Sequence, residues 1–566
     1  MPETPAAAAV LDAFAERFWQ FQRREFPMTA LLAGQPADDP TLFREGPQDF
    51  ERRADWARDA LAELAALPAD GLDLQRRATQ RLLARELSDL VQVPATLSHL
   101  RPWLLPVGPE FNTIYLANVT QVGDRAAAEA WAARLASVPA FFDDCVRCLR
   151  EGRARGLRYP RVVVEGALAN LRQTLDVRAE DSPWTGPFRR SPAAGAPAVA
   201  AAARQAQDGV DSALLPALRR LAACLQEELL PAARETVSCL DDPLGHEAYA
   251  FWTRHFTTDP ALSPQAVHEL GLAEVGRLEG ELAAVAAEAG HGGDLPGYRR
   301  FLATDTRFLA PSAEALREQL EVVAKRIDGR LPAFFGRLPR VTWGVQSIPP
   351  SMSGRMPPAY AQPNPADGSA AGIFWISGLP EKAPGYLHVG LALHEGWPGH
   401  LMHIALMQET ASLPAFRRAN FTKYSAFIEG WALYCETLGA EMGLYRDVHD
   451  RFGCLDMEMW RACRLVVDTG LHLHGWSRTQ AVEYMAARLT LSRVTIEAEV
   501  DRYIAMPAQA LGYQVGGLRL RELRHRAEQR LGDRFDRRAF HDTILGAGPV
   551  TLPVLEEIVE DWLSHR

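Results

Sequence analysis

The sequence predicts a mainly α-helical protein: two helical lobes around a central cleft, with a small β-ribbon or sheet in the second lobe. Apolar residues recur every three to four positions over long stretches rich in Ala, Leu, Arg and Glu, which is typical of amphipathic helices. The 566 residues are 47% hydrophobic and 23% charged, the composition of a globular protein with a large core. No repeat of fixed period is present.

The first lobe is predicted to span residues 1–240 and the second residues 241–566, packed as one continuous body. Helical periodicity in the first lobe covers residues 10–25, 51–67, 74–91, 124–152 and 200–231. The stretch 181–197 is rich in Pro, Gly, Ser and Ala, which predicts a flexible surface loop. In the second lobe, Ser263 and Pro264 form a capping pair for a long helix that should run to about residue 289.

Composition also excludes several function classes. The net charge is −10, and no basic run with interleaved aromatic residues is present, so we expect no nucleic-acid partner. We expect no membrane partner, because no apolar run reaches the roughly 18 residues of a membrane span. The absence of a secretory signal and seven scattered cysteines predict a cytoplasmic protein. The sequence leaves the oligomeric state open.

The candidate site centres on residues 391–403, which hold His394, His400 and His403, with Glu395 directly after the first histidine. Neutral imidazole binds Zn²⁺ well, and a glutamate beside a metal-bound water can act as general base. His394 and His400 are six residues apart, which places them about 240° apart on a regular helix. They therefore need an interruption to share a metal ion.

Pro398 and Gly399 supply that interruption. A proline gives no N–H to the carbonyl four residues earlier and clashes with it, and a glycine accepts almost any backbone conformation. A break here brings His400 to the face of His394. The alternatives are ordinary histidines around a kinked helix, or a ligand pair of His400 and His403, which would leave Glu395 away from the site.

Glu429 is the candidate third ligand. It lies on a predicted helix that is apolar around nearly its whole circumference, and Glu436 follows seven residues later on the same face. A buried carboxylate needs a metal ion or an ion pair. A salt bridge from Glu429 to Arg461 or Arg464 explains the sequence equally well.

A third polar group follows on the next predicted helix. Arg461, Arg464 and Asp468 recur at helical spacing, which predicts a buried ion-pair network, and Asp468 alternatively orients a metal ligand. His472, four residues after Asp468, is a candidate for stabilising a reacting oxyanion or for binding substrate.

Two motifs carry a family resemblance: His394-Glu-Gly-Trp-Pro-Gly-His400 and Glu429-Gly-Trp-Ala-Leu-Tyr434. They resemble the signature of the DUF885 family, and segments 245–255, 461–472 and 502–513 also match. The resemblance covers residues 241–517 well and the N-terminal half loosely. The family is grouped with gluzincin-type zinc metallopeptidases, whose helical members include the thimet oligopeptidases and angiotensin-converting enzyme.

The resemblance implies one Zn²⁺ per chain, held by His394, His400 and Glu429. It implies that Tyr513 donates a hydrogen bond to the oxyanion, and that Arg502, Tyr503 and Gln509 contact substrate. From the residues alone, each tyrosine is instead a core residue with a satisfied hydroxyl.

Residues 372–377 are apolar, β-branched and aromatic between glycines, which predicts a strand. By the same resemblance, this strand lies beside the metal-site helix and binds an extended substrate along its edge, near Phe374 and Trp375. The alternative is a short β-ribbon that only packs against its neighbours.

The predicted reaction is hydrolysis of a peptide or amide bond in a short substrate, with Glu395 as general base. Two alternatives remain open. The first is that the protein acts on a small non-peptide amide or another C–N bond in a biosynthetic pathway. The second is that it is a non-catalytic helical scaffold. Mn²⁺ or Co²⁺ also suits the ligand set.

Overall fold

The computed structural model describes residues 5–35, 39–67, 71–178, 181–348, 353, 356–420 and 422–566, and these form a mainly helical protein, as predicted. The helices before the sheet are α1 Pro5–Glu25, α2 Pro27–Leu32, α3 Pro47–Ala65, α4 Leu74–Ala95, α5 Pro109–Val119, α6 Arg125–Leu135, α7 Val138–Ala154, α8 Arg161–Leu175, α9 Gly186–Arg189, α10 Pro197–Gly209, α11 Leu215–Ala223, α12 Gly245–Thr257, α13 Pro264–Glu288, α14 Leu295–Thr304 and α15 Ala313–Asp328.

The helices after the sheet carry the candidate site. They are α16 His388–Glu395, α17 His400–Glu409, α18 Ala415–Arg418, α19 Ser425–Glu441, α20 Val448–His472, α21 Arg478–Ala486, α22 Arg493–Ala505, α23 Gly512–Leu531, α24 Arg537–Gly546 and α25 Leu552–Ser564. Helix α13 packs along α20, and α19 packs along α23. As predicted, α13 begins after Ser263, whose Oγ accepts the Ala266 N–H at 3.1 Å.

The sheet has three strands: β1 Trp343–Ser347, β2 Ala359–Gln362 and β3 Gly372–Ile376. Their order is β1–β3–β2, with β1 parallel and β2 antiparallel to β3. The predicted strand is β3, and the sheet contacts the two helices that carry the histidines. The prediction that a substrate pairs with an edge of this strand is wrong, because neighbouring strands occupy both of its edges. The edge strand that contacts both α16 and α17 is β2.

The prediction of a flexible surface loop at 181–197 is wrong for the first part of this stretch, whereas residues 192–196 do form turns at the surface. Trp184 is completely buried, its Nε1–H donates to Thr113 Oγ1 at 2.9 Å, and its carbonyl accepts the Trp131 Nε1–H at 3.0 Å. The tryptophan anchors this proline- and glycine-rich stretch to the core. The prolines at positions 349 and 350, which the sequence places before the strand, lie outside the described residues.

The main hydrophobic core contains residues from both predicted lobes, from Leu42 to Leu563. A second cluster joins α1 to Phe416 and Ala419 near α18. The first and last parts of the chain therefore share buried surface, while the boundary between residues 240 and 241 stays a prediction. Within the described residues, no helix combines the length and the apolar character that a membrane crossing requires.

Candidate metal centre

The helix carrying the histidines is interrupted at the predicted place. Helix α16 ends at Glu395, and α17 begins at His400. The Trp431 Nε1–H donates to the Pro398 carbonyl at 2.9 Å and so fixes the turn between them. A Cβ on Gly399 would lie 1.9 Å from the His394 carbonyl oxygen, so this position accepts no side chain without a backbone shift. The turn redirects the chain and brings the two imidazoles together, with ring centroids 4.8 Å apart.

Glu429 completes a group of three potential ligands. Its Oε2 lies 3.6 Å from His394 Nε2 and 3.4 Å from His400 Nε2, and the three donor atoms fall within 4.8 Å of one another. Donors on a tetrahedral zinc ion with bonds of about 2.0–2.1 Å lie about 3.3 Å apart. The donor set and its spacing therefore fit a zinc ion with one further coordination position.

The electrostatics of the group favour a positive charge between the three side chains. Burial alone would lower the pKa of His394, but the carboxylates of Glu429 and Glu436 raise it to about 9. Burial would raise the pKa of Glu429, but His400 and His394 outweigh burial and hold that pKa well below its usual range. A divalent cation meets the same electrostatic preference.

Glu436 orients the first histidine, a role that sequence reasoning did not assign. Its Oε1 accepts the His394 Nδ1–H at 2.7 Å, which leaves Nε2 facing Glu429. Arg461 Nη2 lies 3.4 Å from the same oxygen. The signal was present in the sequence, because Glu436 lies seven residues after Glu429 on one helix face.

His403 lies behind the second histidine. Its Nε2 is 3.4 Å from His400 Nδ1, and burial lowers its pKa well below the usual value. It contacts the side of the His400 ring that faces away from Glu429, so the alternative pair of His400 and His403 does not match the arrangement.

Two glycines bring Tyr513 to the group of ligands. Gly430 on α19 and Gly516 on α23 lie where these helices cross. A Cβ on Gly516 would be 1.7 Å from the Ala426 carbonyl oxygen, and a Cβ on Gly430 would be 2.4 Å from the Gly516 carbonyl carbon. This close crossing places Tyr513, in the first turn of α23, near Glu429. Burial and the charge of Glu429 raise the pKa of Tyr513, so its hydroxyl stays protonated at neutral pH.

Glu395 stands at the end of α16, half-buried, where its charge acts on His394. Within the described part of the chain, no hydrogen bond or ion pair engages its carboxylate. A free carboxylate next to a metal ligand is what a general base requires.

Arg502 and Gln509 lie beside Tyr513. Arg502 Nη2 donates to Gln509 Oε1, and it lies 3.4 Å from the Tyr513 hydroxyl. Arg502 and Gln509, which the sequence predicts to contact substrate, are thus connected to the candidate centre by way of Tyr513. Tyr503 does not, because it is completely buried and its hydroxyl donates to Glu499 Oε2 at 2.8 Å.

The structure corrects two more predicted site residues. His472 is buried, its Nδ1 accepts the Cys239 N–H at 3.2 Å, and its Nε2–H donates to the Tyr503 carbonyl at 3.0 Å. Both ring nitrogens are therefore occupied, and none is left for an oxyanion. Phe374 is completely buried, so a substrate cannot reach its ring.

Trp375 points to the opposite face of β3 and donates its Nε1–H to Gln362 Oε1 at 3.0 Å. It is half-buried, and its contact with substrate stays a prediction.

The predicted ion-pair network on α20 exists in part. Arg461 pairs with Glu436, and Arg464 pairs with Glu499 at 3.0 Å, so neither arginine neutralises Glu429. Asp468 joins neither arginine. It accepts the Tyr249 hydroxyl at 2.8 Å and the Ala508 N–H at 3.0 Å, away from the ligands.

Known structures share the fold along almost the whole chain. A candidate lipoprotein from Colwellia psychrerythraea superposes with a TM-score of 0.92 at 27% identity, covering 99% of this chain and 100% of its own. A candidate lipoprotein of unknown function from Shewanella oneidensis superposes with a TM-score of 0.73 at 16% identity, covering 98% and 100%. The second similarity shows the fold alone. A search of curated proteins found no match.

The Colwellia neighbour overturns the prediction of a cytoplasmic protein. It is described as a candidate lipoprotein, which points to a membrane-anchored or secreted protein. A family model for bacterial proteins of unknown function matches residues 27–559. The motifs, the fold and this match together lead to one conclusion: the chain belongs to the DUF885 family.

Proposed function

We propose that this protein is a zinc-dependent hydrolase of peptide or amide bonds in short substrates. The observation that carries the proposal is the convergence of His394, His400 and Glu429, whose donor atoms lie within 4.8 Å of one another beside the free carboxylate of Glu395. Two imidazoles and one carboxylate are the ligands of many catalytic zinc sites. The resemblance to gluzincin-type peptidases supports the same function.

In this proposal, His394, His400 and Glu429 hold the metal ion, and Glu436 fixes the tautomer and the ring orientation of His394. A divalent ion at such a site lowers the pKa of a water molecule and polarises a carbonyl group. Glu395 accepts the proton of the attacking water and passes it to the leaving amine. Tyr513 donates a hydrogen bond to the carbonyl oxygen as negative charge develops there.

The sheet supports a peptide substrate. The edge strand β2 contacts both helices that supply the histidines. A strand edge offers backbone N–H and carbonyl groups that pair with an extended peptide, with little regard for its side chains. A peptide bound along β2 would pass close to the metal centre.

The test is Glu395→Gln, assayed on metal-loaded protein with a panel of short peptides. The substitution keeps the shape of the side chain and removes its basicity, so we expect the metal to be retained and kcat to fall by about 100-fold or more. Glu409→Gln is the control, because Glu409 ends α17 and accepts the Arg340 N–H at 2.8 Å, at the other end of that helix from His400. Full activity of Glu395→Gln would show that Glu395 is not the general base. If the wild type hydrolyses none of the peptides, the proposal of peptide hydrolysis is contradicted.

A further inference from the structure

A buried arginine beside the metal centre keeps one unused hydrogen-bond donor group. The Arg464 side chain is 4% exposed, and its guanidinium lies between Trp460 and Tyr513, at 4.6 and 4.4 Å from the ring centroids. Its Nε donates to the Tyr503 hydroxyl at 3.1 Å, and its Nη2 donates to Glu499 at 3.0 Å. Its Nη1 is buried and has no partner among the described residues. An unsatisfied charged donor is costly, so such a position indicates a missing acceptor.

The charges around Arg464 do not balance either. Arg502 also pairs with Glu499, at 3.2 Å, so two guanidinium groups share this carboxylate. Although burial opposes ionisation, Arg502 and Arg464 lower the pKa of Glu499 to about 2, which keeps it ionised. Among the described residues, Glu499 is the carboxylate that pairs with either arginine. Arg464, Arg502 and Glu499 together therefore carry a net charge of +1.

Tyr513 connects this group to the metal centre. One side of the tyrosine faces Arg464 and Arg502, and its hydroxyl lies 3.4 Å from Arg502 Nη2. The charge of Glu429 acts on the same phenol. Arg502, Glu499 and Gln509 are partly exposed, so the group meets solvent on the side of Arg502, while Arg464 lies behind it.

We propose that Arg464 and Arg502 bind a carboxylate of the substrate, next to the bond that is hydrolysed. One carboxylate carries the single negative charge that the group lacks, and its two oxygens match the geometry of guanidinium donors. The inference rests on the proposed function and narrows its substrate class to short peptides with a carboxylate near the scissile bond. That carboxylate is either the C-terminal α-carboxylate or an acidic side chain.

The experiment compares three tripeptides that differ only in their carboxylates: a free acid with neutral side chains, its C-terminal amide, and an amide with Glu at the last position. Binding is measured by calorimetry on Glu395→Gln protein, so that no peptide is consumed, and kcat/KM is measured on the wild type. We expect the free acid to bind about 10- to 100-fold more tightly than the neutral amide. Tight binding of the Glu-containing amide instead would identify the acidic side chain as the source.

Two variants assign the effect to the arginines. Arg464→Met and Arg502→Gln, each in the Glu395→Gln protein, should reduce the preference for the carboxylate to about 3-fold or less. Arg478→Met is the matched control, because Arg478 pairs with Asp501 at 2.6 Å beside the same helix and should keep the preference. If Arg464→Met fails to fold, Arg502→Gln and the comparison of acid with amide still decide the question.

The outcomes separate this inference from the proposed function. Equal binding of the three peptides, or a carboxylate preference that survives both variants, overturns the inference. If the free acid and the amide are hydrolysed with equal kcat/KM, the carboxylate-binding inference is also wrong, but the proposed hydrolase function stands. A carboxylate preference in binding without hydrolysis of any peptide supports the anion site and contradicts the hydrolase.

Discussion

At the scale of single residues, the candidate centre depends on groups that hold the ligands as much as on the ligands. His394 lies between two carboxylates, with Glu436 on its Nδ1 and Glu429 facing its Nε2. His403 lies against Nδ1 of His400. A carboxylate such as Glu436 orients the metal-binding imidazole that it contacts, and its loss weakens metal binding even though it never touches the ion.

We therefore predict that Glu436→Gln lowers zinc affinity by about 10- to 100-fold. The amide keeps the shape of the side chain but removes the charge that favours a cation at His394. The measurement is zinc affinity by competition with a chelator. Glu441→Gln is the control, since Glu441 is on the same helix but pairs with Arg524 at 2.6 Å, away from the ligands. Equal affinities for the two variants would show that Glu436 does not position the ligand.

A second residue-scale prediction concerns His472, which serves the fold. Burial lowers its pKa from 6.5 to about 4, so the folded protein keeps it neutral while the unfolded chain protonates near pH 6.5. The unfolded state then binds more protons between these values. The contribution of His472 to the free energy of unfolding is therefore fully present above pH 6.5. It decreases by about 3 kcal/mol as the pH drops to 4.

The measurement is the urea midpoint of unfolding from pH 7 to pH 4. In His472→Gln, which can still accept from Cys239 N–H and donate to the Tyr503 carbonyl, the midpoint should depend less on pH than in the wild type. His565→Gln, at an exposed position, should match the wild type. An unchanged pH slope in His472→Gln would contradict the assignment.

At the scale of elements, two features shape the site: the break between α16 and α17, and the crossing of α19 and α23. The first aligns His394 with His400, and the second brings Tyr513 near Glu429. Both depend on glycines at which a Cβ would overlap backbone atoms. The geometry of the centre is thus set where helices end or cross.

We predict that Gly516→Ala separates α19 from α23, because its Cβ would lie 1.7 Å from the Ala426 carbonyl oxygen. Overpacking of this kind costs about 1–3 kcal/mol of unfolding free energy, and peptide hydrolysis should fall because Tyr513 moves. Gly276→Ala is the control, since a Cβ there meets nothing within 4 Å and a helical alanine should be neutral or stabilising. Wild-type stability and activity in Gly516→Ala would refute the tight crossing.

Some features of these elements can be predicted from the sequence and others cannot. Pro398 and Gly399 predict the break because their effect on a helix is local, and the spacing of His394 and His400 requires it. The strand at 372–377 was also predictable from its composition, but its central position was not, since pairing depends on distant segments. The burial of Trp184 is not predictable, because the residues around it are typical of a loop and tertiary packing decides whether one large ring is buried.

The predicted functional roles of three residues are wrong for a related reason. His472, Tyr503 and Phe374 are polar or aromatic residues close in sequence to the motifs, and sequence alone does not show which hydrogen bonds they make. The structure places all three in the core. Conversely, the sequence assigns Arg464 to a buried ion-pair network, and only the structure shows that its Nη1 has no partner among the described residues.

At the scale of the whole molecule, the protein packs a large helical body around a small site. The main core joins both halves of the chain, and the candidate ligands come from α16, α17 and α19, which are close together in the sequence. The Trp431 Nε1–H bond to the Pro398 carbonyl and the close packing at Gly399 hold the turn between α16 and α17. A bound ion should stabilise the fold, because the folded state alone presents the three donors together.

The most direct measurement is metal content by mass spectrometry, on protein purified without added metal, for the wild type, His400→Ala and His403→Gln. We predict about one zinc ion per chain in the wild type, loss in His400→Ala and retention in His403→Gln. Zinc retained in His400→Ala, or absent from the wild type even after incubation with zinc, would contradict a metal centre built from His394, His400 and Glu429.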